Sequence, residues 1–110
     1  MNIKQISNEY AVASQISADD VAELAQAGFV NIICNRPDGE EPGQPSVADI
    51  AAACATAGIG FHHIPVTGMP IPAADIAEQR RIVDESSGPV LAYCRSGQRS
   101  VVIFEASSRK

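Results

Sequence analysis

Basic residues are scarce in this chain. Eight Lys and Arg stand against thirteen Asp and Glu, a net charge of -5 with a pI near 4.8. That balance excludes a sequence-independent grip on nucleic acid, which needs a field of cations to displace counterions from phosphates. Any anion the protein binds must be held by local geometry. Long apolar runs are lacking too. None approaches the roughly 20 residues that cross a bilayer, and Met1-Asn2-Ile3-Lys4-Gln5-Ile6-Ser7-Asn8-Glu9 contains no apolar signal-peptide segment. No membrane association is therefore expected. Cysteines do not come in pairs: Cys34, Cys54 and Cys94 are an odd set without matched spacing, which points to free thiols in a reducing, cytoplasmic setting. No repeat, linker or low-complexity stretch divides the 110 residues, so a single domain over 1–110 is expected.

Strand and helix signals alternate along the chain. Tyr10-Ala11-Val12-Ala13 reads as a short strand. Ser17, with Asp20 three residues on, marks a helix start, and Ala18 to Ala27 carries Val21, Leu24 and Ala25 on one face before Gly28. Phe29 to Cys34 is the second strand, and a turn-rich loop follows over 35–45. Ser46 with Asp49 repeats the start signal for an alanine-rich helix, Val47 to Ala57, stopped by Gly58. Phe61 to Val66 is a third strand, and a helix runs from Ala73 to about Ser86. A fourth strand then leads into Cys94. This order predicts an α/β fold, a small and mostly parallel sheet flanked by helices with right-handed crossovers. Ligand sites in such sheets lie beyond the carboxyl ends of the strands. The loops 35–45, 67–72 and the one at Cys94 are thus expected to converge.

The third of these loops carries the chemistry. Tyr93-Cys94-Arg95-Ser96-Gly97-Gln98-Arg99-Ser100 lies between two apolar runs, Pro89-Val90-Leu91-Ala92 and Val101-Val102-Ile103-Phe104. A buried strand, a tight loop and a helix start in succession make an anion cradle. Backbone N–H groups curl around one point, the helix N-terminus adds partial positive charge, and Arg99 supplies a planar fork of donors. A cysteine at its mouth has a stabilised thiolate, titrating below the free value of about 8.5, and is a nucleophile for a bound oxyanion or sulfur species. The plainer alternative is a buried strand-end cysteine followed by a solvated basic turn. Cys, Gly and Arg at this spacing after a strand favour the cradle.

The chain resembles the phosphatase-like domain family of beta-lactamase-hydrolase-like proteins, a relative of the dual-specificity protein phosphatases. The likeness spans Ile6 to Ser100 and is most specific over Asn35-Arg36-Pro37-Asp38-Gly39-Glu40-Glu41-Pro42-Gly43-Gln44-Pro45, His63-Ile64-Pro65-Val66 and Tyr93 to Ser100. It implies a protein-tyrosine/dual-specificity-phosphatase-like fold with Cys94 as nucleophile and Arg99 as oxyanion clamp. Two features depart from the dual-specificity pattern. Those enzymes place one residue more between Cys and Arg; here only Arg95, Ser96, Gly97 and Gln98 intervene, a string similar to the active loop of single-domain rhodaneses. They also place an Asp general acid after the Ile-Pro-Val strand, where this chain has Thr67 and Gly68. A threonine hydroxyl is too weak an acid to protonate an alkoxide, so the acid comes from elsewhere or the leaving group is already acidic.

Asp38 is the candidate for that acid, ahead of Glu40 and Glu41; the plain alternative is an Asp38-Gly39 turn with both glutamates facing water. Arg36 is expected to hold its loop to a carboxylate, and Arg95 is a candidate substrate contact. Ser96, Gly97, Gln98 and Ser100 complete the substrate-binding set, with Ser100 favoured as a hydrogen-bond partner of the thiolate. His62 and His63 are adjacent on a strand and point to opposite faces. No metal is expected, nor any cofactor. One histidine is expected to pack on a helix and the other to bond locally. Cys54 reads as a small core residue, and Cys34, at the same sheet edge, as packing or as a resolving thiol. Val101, Val102 and Ile103 open a short last helix, whose apolar face would be covered by a homodimer or a further domain.

The leading expectation is a cysteine-dependent phosphatase-like hydrolase acting on a small phosphoester. Sulfur transfer through a Cys94 persulfide, fed by a sulfane sulfur donor, is the second. A non-catalytic anion-binding or redox-sensing module is the third.

Overall fold

The computed structural model describes residues 1–108. Its elements are β1 Ile3–Gln5, β2 Tyr10–Ala13, α1 Ala18–Gln26, β3 Asn31–Cys34, α2 Val47–Ala57, β4 Gly60–His63, α3 Ala73–Glu85, β5 Val90–Tyr93 and α4 Gln98–Ser107. The sheet order is β1-β2-β5-β3-β4, parallel throughout except for the β1–β2 pair.

Alternating side chains divide the core into two layers. Ala11, Ala13, Ile32, Cys34, Leu91 and Tyr93 pack beneath Val21 and Leu24 of α1 and Ile50 and Cys54 of α2. Tyr10, Val12, Ile33, Val90 and Ala92 face Ile82 and Val83 of α3 and Ile103 of α4. The anticipated starts of α1 and α2 are in place. Ser17 accepts from the Asp20 amide while Asp20 accepts from the Ser17 amide, and Ser46 accepts from the Asp49 amide.

Four boundaries or faces differ from expectation. β1 was not anticipated: its three residues are all exposed, so no alternation marks it, and it is held by backbone pairing to β2. β3 starts at Asn31, two residues beyond the expected Phe29. β4 ends at His63, not Val66, although Ile64 and Val66 still donate to Cys34 and Asn35 carbonyls; Pro65 between them has no N–H for a ladder. The apolar face of α4 is already covered: Ile103 is fully buried, Val101 and Val102 pack on the second layer, and the Phe104 ring stacks on Tyr10 with centroids 4.1 Å apart. The argument for a homodimer from that face therefore lapses. Among the described residues no helix is long and apolar enough to cross a membrane.

Candidate active site

β5 is the central strand, flanked by β2 and β3, and Cys94 follows its carboxyl end. The chain turns at once: Gly97 has φ +91°, in the left-handed region that glycine enters at little cost, and caps α4. That turn aims the Gly97 N–H at Cys94 Sγ, 3.0 Å away. Cys94 is fully buried. Burial alone would raise its pKa, but hydrogen bonds from the Ser100, Ser96, Arg99 and Gly97 amides outweigh it and hold the thiol below its ordinary value.

Arg99 stands in the first turn of α4, which begins at Gln98. Its donors can be assigned one by one. Nη1 donates to Glu40 Oε2 at 2.8 Å and to the Val66 carbonyl at 3.0 Å, and Nη2 donates to Glu40 Oε1 at 2.8 Å. The N–H on Nε and the second on Nη2 remain, and these two share one edge of the guanidinium plane. That edge is a bidentate fork for an oxyanion. Hydrogen bonding to Glu40 raises the Arg99 pKa first, and the Cys94 thiolate raises it further. Glu40 is held down at about 2 by Arg99 first and by Arg36 as well, despite some burial.

Arg36 anchors the 35–45 loop from below. It is 2% exposed; its Nε donates to Glu40 at 2.8 Å, Nη2 to Glu41 at 2.6 Å and Nη1 to Gln15 at 3.0 Å. Arg95, 68% exposed, pairs with Glu41 at 3.2 Å. Arg36, Glu40, Glu41, Arg95 and Arg99 line a recess of about 260 Å³. Behind the cradle runs a buried polar chain. The Tyr10 hydroxyl donates to the Ser100 carbonyl at 2.7 Å and accepts from Gln79 Nε2 at 3.0 Å, and Gln79 Oε1 accepts from Asn35 Nδ2 at 3.3 Å. Asn35 also donates to the Ile64 carbonyl. Of the three loops expected to converge, the Cys94 loop and the 35–45 loop meet through Arg99 and Glu40, and Arg99 also reaches the carbonyl of Val66, the residue before 67–72.

A family profile described as beta-lactamase hydrolase-like protein, phosphatase-like domain, matches residues 2–109. The chain belongs to this family. The beta-lactamase hydrolase-like protein of Xylella fastidiosa (strain Temecula1) is 36% identical over 107 residues, which are 97% of this chain and 25% of that protein; the chain thus spans about a quarter of that relative. A crystal structure of a candidate phosphatase from Neisseria meningitidis Z2491 is 39% identical with a TM-score of 0.82, covering 91% of this chain and 71% of that one. The core catalytic domain of the PP-IP phosphatase SIW14 from S. cerevisiae, 18% identical, superposes with a TM-score of 0.67 over 97% of this chain and 74% of its own. The fold is of the protein-tyrosine/dual-specificity-phosphatase type. Family and fold together support a phosphatase-like hydrolase.

In this phosphatase-like domain the site residues named from sequence are not all brought together. Cys94, Ser96, Gly97, Arg99 and Ser100 form the cradle. Ser100 meets the sulfur through its backbone N–H, not its hydroxyl, whose oxygen has no partner among the described residues. The Gln98 N–H turns to Ser96 Oγ at 3.4 Å, and Arg95 meets Glu41. Asp38 is exposed and occupied elsewhere: its Oδ1 accepts from the Val47 amide at the start of α2, at 2.9 Å. Glu40 and Glu41 stay exposed, as the plain alternative had it, yet both are paired to buried Arg36. Both histidines bond locally, His62 to Asn31 Oδ1 at 3.1 Å and His63 to the Arg36 carbonyl at 2.9 Å, and His62 is half-buried within electrostatic reach of Arg81 and Glu78 of α3. Among the described residues no group of three metal-ligating side chains forms. Cys54 is buried and pushed up to about 11 by desolvation. Cys34 packs in the α1–α2 layer, donating to the Arg36 carbonyl at 3.2 Å, and burial raises its pKa. Sequence reasoning missed Tyr10, Gln79 and Asn35. Gln79 had a signal, a polar residue on the α3 stripe between Ile76 and Ile82.

Two outcomes follow for this domain. Alkylation by iodoacetamide is expected to fall first on Cys94, half-maximal below the free-thiol value of about 8.5, with Cys34 and Cys54 unreactive until unfolding. Peptide mapping against pH reads this, and earlier labelling of either other cysteine contradicts it. Glu40 makes stability acid-sensitive. Its folded pKa, about 2, lies below its ordinary 4.5, so its contribution is present above 4.5 and is lost as pH falls towards 2. Glu40→Gln should flatten the acid limb of urea-denaturation midpoints plotted against pH; an unchanged limb contradicts the pairing.

Proposed function

We propose that the chain is a cysteine-dependent phosphatase of small phosphorylated substrates. The observation that carries this reading is the buried Cys94 sulfur ringed by four loop amides, with the Arg99 edge that Glu40 and Val66 leave free turned to the same sulfur. The thiolate attacks phosphorus, and the ester oxygen leaves with the P–O electron pair. Loop amides and Arg99 hold the equatorial oxygens as charge develops, in a site organised before the reaction starts. Water then attacks the cysteinyl phosphate, releasing phosphate and restoring the thiolate.

Glu40 acts on Arg99. By occupying the end-on edge it turns the side-on edge towards Cys94, and as an anion near neutral pH it is not the proton donor. Asp38, assigned from sequence as the acid, would have to leave α2 to serve.

The test is to acid-quench the protein during turnover of p-nitrophenyl phosphate and map the modified peptide. A phosphoryl group on Cys94 supports the reading. A persulfide on Cys94 with turnover of thiosulfate and none of the phosphoester would replace it with sulfur transfer.

A further inference from the structure

The recess beside the cradle is lined by Arg36, Glu40, Glu41, Arg95 and Arg99 alone. Every lining side chain is charged, and the ion pairs among them fix the charges in alternation. The five aromatic rings are committed elsewhere. Tyr10 and Tyr93 are buried, Phe29 and Phe61 pack on the α1–α2 layer, and Phe104 stacks on Tyr10. A phenol ring placed here would desolvate ion pairs and gain no apolar contact in return. With the phosphoryl group on Arg99, Arg36 and Arg95 only balance Glu40 and Glu41, so the recess gives a leaving group bearing several negative charges no net attraction. The recess therefore fits a small polar body carrying little charge of its own.

The second observation concerns the proton. An alkoxide leaving group needs one. The carboxylate against Arg99 is locked in two ion pairs, and Thr67 and Gly68 follow Val66 where the loop reaches the site. The favoured leaving oxygen is one that departs as a stable anion.

Small size, polarity, low charge and an acidic leaving group coincide in one substrate class. Resting on the phosphatase reading above, we infer that the preferred substrates are acyl phosphates of small carboxylic acids. The Cys94 thiolate attacks phosphorus, the P–O bond to the acyl oxygen breaks, and a carboxylate leaves with the electron pair, unprotonated. Water attacks the cysteinyl phosphate, its oxygen bonding to phosphorus and its proton passing to solvent. Phosphate and the thiolate result, with no redox change.

The experiment measures phosphate release from acetyl phosphate, 2,4-dinitrophenyl phosphate, phosphoserine and inorganic pyrophosphate, with Cys94→Ser as blank. Acetic acid and dinitrophenol are similarly acidic, so the first pair isolates shape and polarity from leaving-group strength. The expected result is kcat/KM for acetyl phosphate about tenfold or more above the aryl ester, little turnover of the other two, and a quenched intermediate carrying phosphoryl, not acetyl, on Cys94. Aryl turnover equal to or above that of acetyl phosphate overturns the substrate class and leaves the phosphatase reading standing. So does preference for phosphoserine or pyrophosphate, or an acetylated Cys94. No turnover of any of the four above the blank overturns both.

Discussion

Cys94→Ser is expected to reduce phosphoester turnover by on the order of 10⁴-fold or more, while inorganic phosphate still binds. Serine places an oxygen where the sulfur stood, so the Gly97, Ser96, Arg99 and Ser100 amides keep an acceptor and the cradle keeps its shape. The chemistry is lost because a hydroxyl beside these donors is not ionised near neutral pH, and among the described residues no carboxylate or imidazole is hydrogen-bonded to Cys94 to take its proton. Four amides and Arg99 suffice for a thiol, whose ordinary pKa is only a little above neutral. Steady-state kinetics on p-nitrophenyl phosphate, together with calorimetric titration of phosphate into the variant, check both halves. Retained turnover removes Cys94 as nucleophile, and lost phosphate binding with an intact fold would mean that the sulfur itself shapes the cradle.

The sheet and the cradle were legible in the sequence because both rest on local signals. β5 is a continuous apolar run, Cys94 follows it directly, and Gly97 with Arg99 marks a loop turning into a helix. The caps at Ser17 and Ser46 were equally local. What escaped depends on pairing across the fold. β1 has no apolar face to announce it, and only its partner β2 makes it a strand. Glu40 was weighed as an acid and Arg36 as a loop anchor, yet nothing local says that one carboxylate will join Arg36 and Arg99, which are 63 positions apart. Asp38 illustrates the converse. A carboxylate in a loop at the functional edge looks free to act, but the first amides of α2 need acceptors, and Asp38 supplies one. The Tyr10–Gln79–Asn35 chain likewise joins residues from β2, α3 and the end of β3. Polar groups buried that deeply need partners, and the topology, not the local sequence, decides which they find.

Arg99→Lys is expected to lower kcat/KM for a phosphoester by about 10²–10³-fold, the cost of removing one well-placed oxyanion donor, with the fold retained. Charge is conserved, so the loss reads geometry. Arginine here serves three directions at once: its end-on edge meets Glu40, Nη1 also reaches the Val66 carbonyl, and its remaining donors face Cys94. A lysine ammonium is a compact point charge on a flexible stem, unable to present two parallel donors while remaining paired to Glu40. Glu40 is anchored a second time by buried Arg36, so the lysine is drawn to the carboxylate and away from the substrate. The defect should therefore be larger in kcat than in KM, because the missing fork matters most when charge builds on the equatorial oxygens. Alkylation of Cys94 as a function of pH provides the control. Its half-maximal point should stay below that of a free thiol, since the four amides remain, and a rise to the free-thiol value would show that Arg99 acts mainly on the nucleophile and not on the bound oxyanion. Unchanged kinetics would take Arg99 out of the site.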